Sequence, residues 1–138
     1  MLLDKIKVKQ ARIGIIGLGY VGLPLVLEFG HAGFQVVGLD IDPAKVKRLN
    51  RGESYIRHIP SDAIQSLVEQ KRLESTTDFS KVSELDCILI CVPTPLNSNR
   101  EPDMSFIVST ARQIAPHLRG EQMVILESTT YPGTTRDV

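Results

Sequence analysis

Three glycines, Gly17, Gly19 and Gly22, lie in the stretch RIGIIGLGYVGLPLVLEFG that runs from Arg12 to Gly30. Their spacing is that of a turn which lets a diphosphate come up against the backbone. Aliphatic segments produce the same spacing by chance, so its meaning depends on the flanks. Here the aliphatic run RIGII precedes the turn and an amphipathic run follows it, which is the strand-to-helix setting the chemistry requires. Each glycine has a mechanical task. Gly17 permits the tight turn, Gly19 leaves room for phosphate beside the chain, and Gly22 lets the helix start pack close on the strand. With Leu18, Tyr20 and Val21 between them they form a candidate cofactor loop, whose N–H groups and positive helix-dipole end would receive phosphate oxygens. Pro24 falls in the first helical turn, where a missing N–H is no loss.

A second residue capable of chemistry, Asp40, closes the run QVVGLD at about the 20-residue spacing expected after such a turn. A carboxylate there accepts hydrogen bonds from both hydroxyls of an adenosine ribose and repels a 2′-phosphate, so the expected cofactor is NAD rather than NADP. Lys45, just downstream, is open to two readings: a ribose contact or a solvated lysine on a helix face.

The elements that must hold these groups alternate along the chain. Aliphatic runs at 12–16, 35–40 and 87–92 predict strands, with a weaker one in RLEST and a fifth at 122–128. Helices are predicted over 20–33, from Pro43 to Gly52, over 61–70 with Ser61 or Asp62 as cap, and from an Asp103 cap to a final turn disturbed by Pro116. Runs so continuously apolar do not suit a sheet with one wet face. The expected fold is therefore α/β, a Rossmann-type doubly wound parallel sheet with helices on both faces.

Composition narrows the function. At 138 residues and 42% hydrophobic the chain forms one core and one domain. Lys+Arg and Asp+Glu both number 16, which leaves no field to hold a nucleic acid. No apolar run reaches the roughly 18 residues of a membrane span, and MLLDKIKVKQ lacks the features of a secretory signal, so a cytoplasmic protein is expected. Cys87 and Cys91, four residues apart on one strand, have Cα atoms about 13 Å apart, too far for a disulfide. They read as buried free thiols, and no metal site is expected. His31, His58 and His117 fall at helix ends or in loops and receive no catalytic role.

The segments GIIGLGYVGLPLVLEFG, VVGLDIDPAKVKRLNRG, CVPTPLNSNREPDMS and ESTTYPGTT, in this order, resemble the N-terminal NAD-binding domain of the UDP-glucose/GDP-mannose dehydrogenase family. Within it the REPD and ESTTYPGTT segments look like the branch acting on UDP-N-acetylhexosamines, such as UDP-N-acetylglucosamine 6-dehydrogenase. The resemblance implies oxidation of the sugar C6 from alcohol through aldehyde to carboxylate, reducing two NAD, with the aldehyde held on a cysteine. That cysteine and most sugar contacts belong to a later segment of the family's chain, so 1–138 is expected to be a fragment, inactive alone, lacking the central helix and the sugar-nucleotide domain. A homodimer or larger assembly is implied for the complete protein. Cys91 does not match the family's nucleophile and reads as packing.

Thr94, in CVPTP, matches a family position lining the cofactor site; its other reading is a threonine capping its own loop. Thr129 matches the family's active-site threonine, which contacts the cofactor end and stabilises developing charge by hydrogen bonding. Two alternatives accompany the UDP-N-acetylhexosamine reading. One is a UDP-glucose 6-dehydrogenase. The other, of a different class, is a stand-alone NAD-binding sensor, which has no need of hydroxyls at the reacting end.

Overall fold

The structure is a computed structural model that describes residues 2–96, 98–100 and 103–127. Its centre is a five-stranded sheet in the order β3-β2-β1-β4-β5. The strands are β1 (Arg12–Ile16), β2 (Gln35–Leu39), β3 (Leu73–Thr76), β4 (Cys87–Ile90) and β5 (Met123–Leu126). All four ladders are parallel, with Ile13 opposite Val36 on one side of β1 and opposite Cys87 on the other. The expected parallel, doubly wound arrangement is observed.

Alternate side chains of β1, β2 and β4 enter separate cores, as the two-residue period of a strand requires. Ile13, Ile15, Val36, Leu89 and Cys87 face one side, where Leu23 and Val26 of α2 (Gly22–His31) and Ile64 and Leu67 of α4 (Ser61–Glu69) cover them. Ile16, Val37, Leu39, Ile88 and Ile90 face the other, against Val82, Leu85 and Ile114. Ile114 ends α5 (Ser105–Ile114), and Val82 lies in a 3₁₀ segment, Phe79–Glu84. Helix α3 (Pro43–Asn50) flanks the β3 edge, where the Asn50 side-chain amide donates to the Ser75 carbonyl at 2.9 Å and accepts from the Ser75 N–H at 3.0 Å.

Several local expectations need correction. A short helix α1 (Leu2–Lys7) precedes the first strand, its Leu2 and Ile6 resting on the first core. Six residues carry too few turns to show a helical period. Neither Ser61 nor Asp62 caps α4: Pro60 occupies the cap, and the Ser61 hydroxyl accepts from the Ser54 N–H instead. Asp103 stands one residue ahead of the α5 cap, Met104, and still accepts the Ser105 N–H at 2.9 Å. The disturbance at Pro116 is a 3₁₀ turn, Ala115–His117. Strand β4 ends at Ile90, although the Cys91 N–H still donates to the Ile16 carbonyl.

The start of the sheet is tied by one buried carboxylate. Asp86, 4% exposed, accepts from the Arg12 N–H at 2.8 Å and the Lys5 ammonium at 3.1 Å, and pairs with Arg119 at 3.3 Å. Burial pushes its carboxyl up, but these donors outweigh it and hold Asp86 below the ordinary carboxylate value.

Candidate cofactor site

Strand order reverses between β1 and β4, and in open parallel sheets such a reversal leaves a crevice beyond the strand ends. A cavity of about 590 Å³ lies there, reaching from Ile16 and the glycine turn to Asp40, Cys91 and Glu127. The five residues from Gly17 to Val21 line it, and Gly22 starts α2 directly behind.

The three glycines differ in what demands them. Gly17 has φ +93°, and a Cβ there would lie 2.7 Å from the Cys91 carbonyl oxygen. At Gly22 a Cβ would lie 1.8 Å from the Gly17 carbonyl oxygen. Both are required by the chain's own packing. Among the described residues, chain neighbours aside, a Cβ on Gly19 meets nothing within 4 Å, and its backbone is not left-handed. Open space bordered by backbone N–H groups, with no side-chain cap on α2, is a cradle that fits a diphosphate.

Asp40 is 8% exposed and lines the cavity. One carboxylate oxygen accepts from the Leu18 N–H and the other from the Asp42 N–H, both at 2.9 Å. Asp42 in turn caps α3 by accepting from the Ala44 N–H. Each Asp40 oxygen keeps a further lone pair for a ligand hydroxyl. Lys45 lines the same cavity, and its ammonium lies 5.8 Å from the centre of the Tyr55 ring.

Thr94 is half-buried and lines the cavity beyond β4. Glu127 borders it after β5. Cys87 and Cys91 are both free and buried. Burial, aided by the Glu127 charge, pushes the Cys91 thiol up to about 11, while burial and Asp86 raise Cys87. A thiol held in its protonated form is a poor nucleophile. Among the described residues no group of three or more His, Cys, Asp or Glu could hold a metal, and no helix is long and apolar enough to cross a membrane.

The structure thus brings Gly17, Leu18, Gly19, Tyr20, Val21, Asp40, Lys45 and Thr94 to one cavity. Thr129, together with the expected end of the fifth strand at Ser128, and Glu101 and Pro102 of the REPD segment, lies outside the described residues. Sequence reading missed the wall opposite the glycine turn: Phe79, and Phe106, Ser109, Thr110 and Gln113 along α5. The i, i+3, i+4, i+7 spacing of the last four gave a helix face but not what the face overlooks. Tyr55 was missed too. Its hydroxyl donates to the Leu18 carbonyl.

A family model described as "UDP-glucose/GDP-mannose dehydrogenase family, NAD binding domain" matches residues 11–138. A UDP-N-acetyl-D-mannosamine dehydrogenase of Escherichia coli (strain K12) is 42% identical over 126 residues, which are 91% of this chain and 29% of that protein. A UDP-N-acetyl-D-glucosamine 6-dehydrogenase of Salmonella typhi is 34% identical over 130 residues, 94% of this chain and 30% of its own. Among solved structures, a ternary complex of GDP-mannose dehydrogenase from Pseudomonas aeruginosa superposes with a TM-score of 0.88 at 35% identity, over 92% of this chain and 30% of the other. The chain spans about 30% of the length of these curated relatives.

Proposed function

From the premise that the chain belongs to the UDP-glucose/GDP-mannose dehydrogenase family as an NAD-binding domain, we propose that it serves a protein oxidising C6 of a UDP-N-acetylhexosamine. The observation that carries this reading is Gly19, a glycine whose open space answers to no group among the described residues beyond its chain neighbours. NAD, when bound, supplies an acceptor for hydride from an alcohol carbon. The N–H groups of the turn from Gly19 to Gly22, beyond those that Gly17 and Leu18 give to the Leu39 carbonyl and Asp40, hold the diphosphate, Asp40 accepts the ribose hydroxyls, and Thr94 lines the same cavity. Thr129 is the proposed hydroxyl that stabilises developing charge. Cys91 takes no covalent role, since its thiol stays protonated at neutral pH.

The N-acetylhexosamine choice is supported by the names of the two relatives above, which differ in the sugar they oxidise. Residues 1–138 act as the cofactor half, and the sugar is held by a further portion of the whole protein. A cytoplasmic setting and a homodimer or larger assembly belong to the same proposal, supported by the two free thiols and by the half-exposed apolar side chains of β5, Met123 and Val124. Calorimetric titration with NADH and NADPH tests the site. NADH is expected to bind and NADPH to bind at least tenfold more weakly; equal affinity removes Asp40 as the ribose acceptor. The whole protein is expected to reduce NAD faster with UDP-N-acetylglucosamine or UDP-N-acetylmannosamine than with UDP-glucose, and these 138 residues alone to give no turnover. A faster rate with UDP-glucose overturns the choice of sugar.

A further inference from the structure

The turn between β1 and α2 contains two glycines around Leu18, and glycine backbone is the least restrained there is. A diphosphate site built on such a turn must still present its N–H groups in a fixed direction, because ordering them on binding costs free energy that weakens affinity. Something outside the turn has to hold it. Leu18 is fully buried and is held twice: its N–H donates to Asp40 at 2.9 Å, and its carbonyl accepts the Tyr55 hydroxyl.

The second contact has a geometric consequence. In a trans peptide the carbonyl and the following N–H point in opposite directions. Fixing the Leu18 carbonyl toward Tyr55 therefore aims the Gly19 N–H away from Tyr55, and Gly19 is the glycine with open space around it. The Tyr55 ring is itself braced. Lys45 and Arg48 lie 5.8 Å and 5.7 Å from its centre, and the Arg48 guanidinium donates to the neighbouring Ser54 carbonyl at 2.7 Å. The same segment reaches the turn a second time, where His58 stacks on Tyr20 with centroids 6.4 Å apart and planes 22° off parallel.

We infer that Tyr55 is a positioning residue of the cofactor turn, its hydroxyl setting the Leu18 carbonyl and thereby the Gly19 N–H that receives the diphosphate. Burial, with the charges of Asp40 and Asp42, pushes the Tyr55 hydroxyl above its ordinary value, so it remains a donor throughout the neutral range. The inference rests on the NAD reading of the site and adds to it a residue outside the glycine motif and outside the cavity wall.

Tyr55→Phe is the test, since it keeps the ring and both cations and removes only the donor. The expected result is an NADH dissociation constant raised roughly 2- to 12-fold, the range of one hydrogen bond. Adenosine, which has the base and ribose but no phosphate, should bind with unchanged affinity by NMR titration. Tyr55→Leu, which also removes the ring between Lys45 and Arg48, should weaken NADH further. An NADH affinity unchanged in Tyr55→Phe overturns the inference. So does an equal loss for NADH and adenosine, which would make Tyr55 a general support of the fold. Failure of the unsubstituted protein to bind NADH overturns the cofactor reading itself, and is seen before any variant is made.

Discussion

Two buried carboxylates mark the opposite ends of the sheet, and they are satisfied in different ways. Asp86, where β4 begins, meets two cations and a backbone N–H. Asp40, just past β2, meets the backbone N–H groups of Leu18 and Asp42. A charge neutralised by its own chain has little left to offer a ligand, and Asp86 is spent on joining α1, β1 and the segment before β5. A carboxylate held only by neutral donors keeps its charge and its spare lone pairs for hydroxyl groups. The same residue type is thus a fastener at one end and, in the proposed function, a reading head at the other, and the partners decide which.

The contrast is sharpest within the turn itself. Gly22→Ala sets a methyl against the Gly17 carbonyl and is expected to cost about 3 kcal/mol or more in urea unfolding, with cofactor binding lost along with the turn. Gly19→Val is expected to abolish NADH binding while the unfolding midpoint stays where it was, because among the described residues, chain neighbours aside, no atom is within 4 Å of the new Cβ. A fall in stability comparable to that of Gly22→Ala would mean Gly19 serves the fold, and the division of labour among the glycines would be gone.

At the other end, Asp86→Asn is expected to cost roughly 2–3 kcal/mol, the weight of charge-assisted bonds to partly exposed cations, and to leave NADH affinity within about twofold. The pH dependence has a definite sign. Because the Asp86 carboxyl is held below its ordinary value when folded, its contribution is fully present above the unfolded carboxylate range, about pH 4, and is lost as pH falls through the lower folded value. Acid titration of stability should therefore be shallower in Asp86→Asn, and an identical slope would remove Asp86 as the fastener. The smallest effect is expected at the thiols. Cys87→Ala and Cys91→Ala should each cost about 1 kcal/mol through lost packing, with NADH affinity unchanged. A thiol reagent should label neither cysteine at pH 8 until the protein is unfolded; rapid labelling of the folded protein would contradict the raised values.

Much of this was readable in the chain because strands buried on both faces announce themselves as aliphatic runs. RIGII and CILI needed no partner to be recognised, and the glycine turn was recognisable from the strand before it and the helix after it. What could not be read depended on residues far apart in sequence. Asp40 stands 22 residues from the Leu18 N–H it accepts, and Asp86 74 from that of Arg12. Tyr55 sits in a polar stretch with no period, 37 residues from the carbonyl it holds, so nothing local marks its role. The 3₁₀ segment Phe79–Glu84 lacks the 3.6-residue repeat that reveals helices, so nothing in the sequence marks Phe79 as lining the cavity.

Attempts to retune such a protein toward phosphorylated nicotinamide cofactors would begin by exchanging Asp40 for serine or a small neutral residue, to stop it repelling a 2′-phosphate. Here that exchange would also remove the acceptors of the Leu18 and Asp42 N–H groups, loosening the diphosphate turn and the entry to α3 in one step. In the proposed function, selectivity and affinity are drawn from the same two oxygens. A variant with altered preference must therefore supply new acceptors for both N–H groups in the same round of mutagenesis, and libraries that vary position 40 alone should return binders that have lost more for NAD than they have gained for NADP.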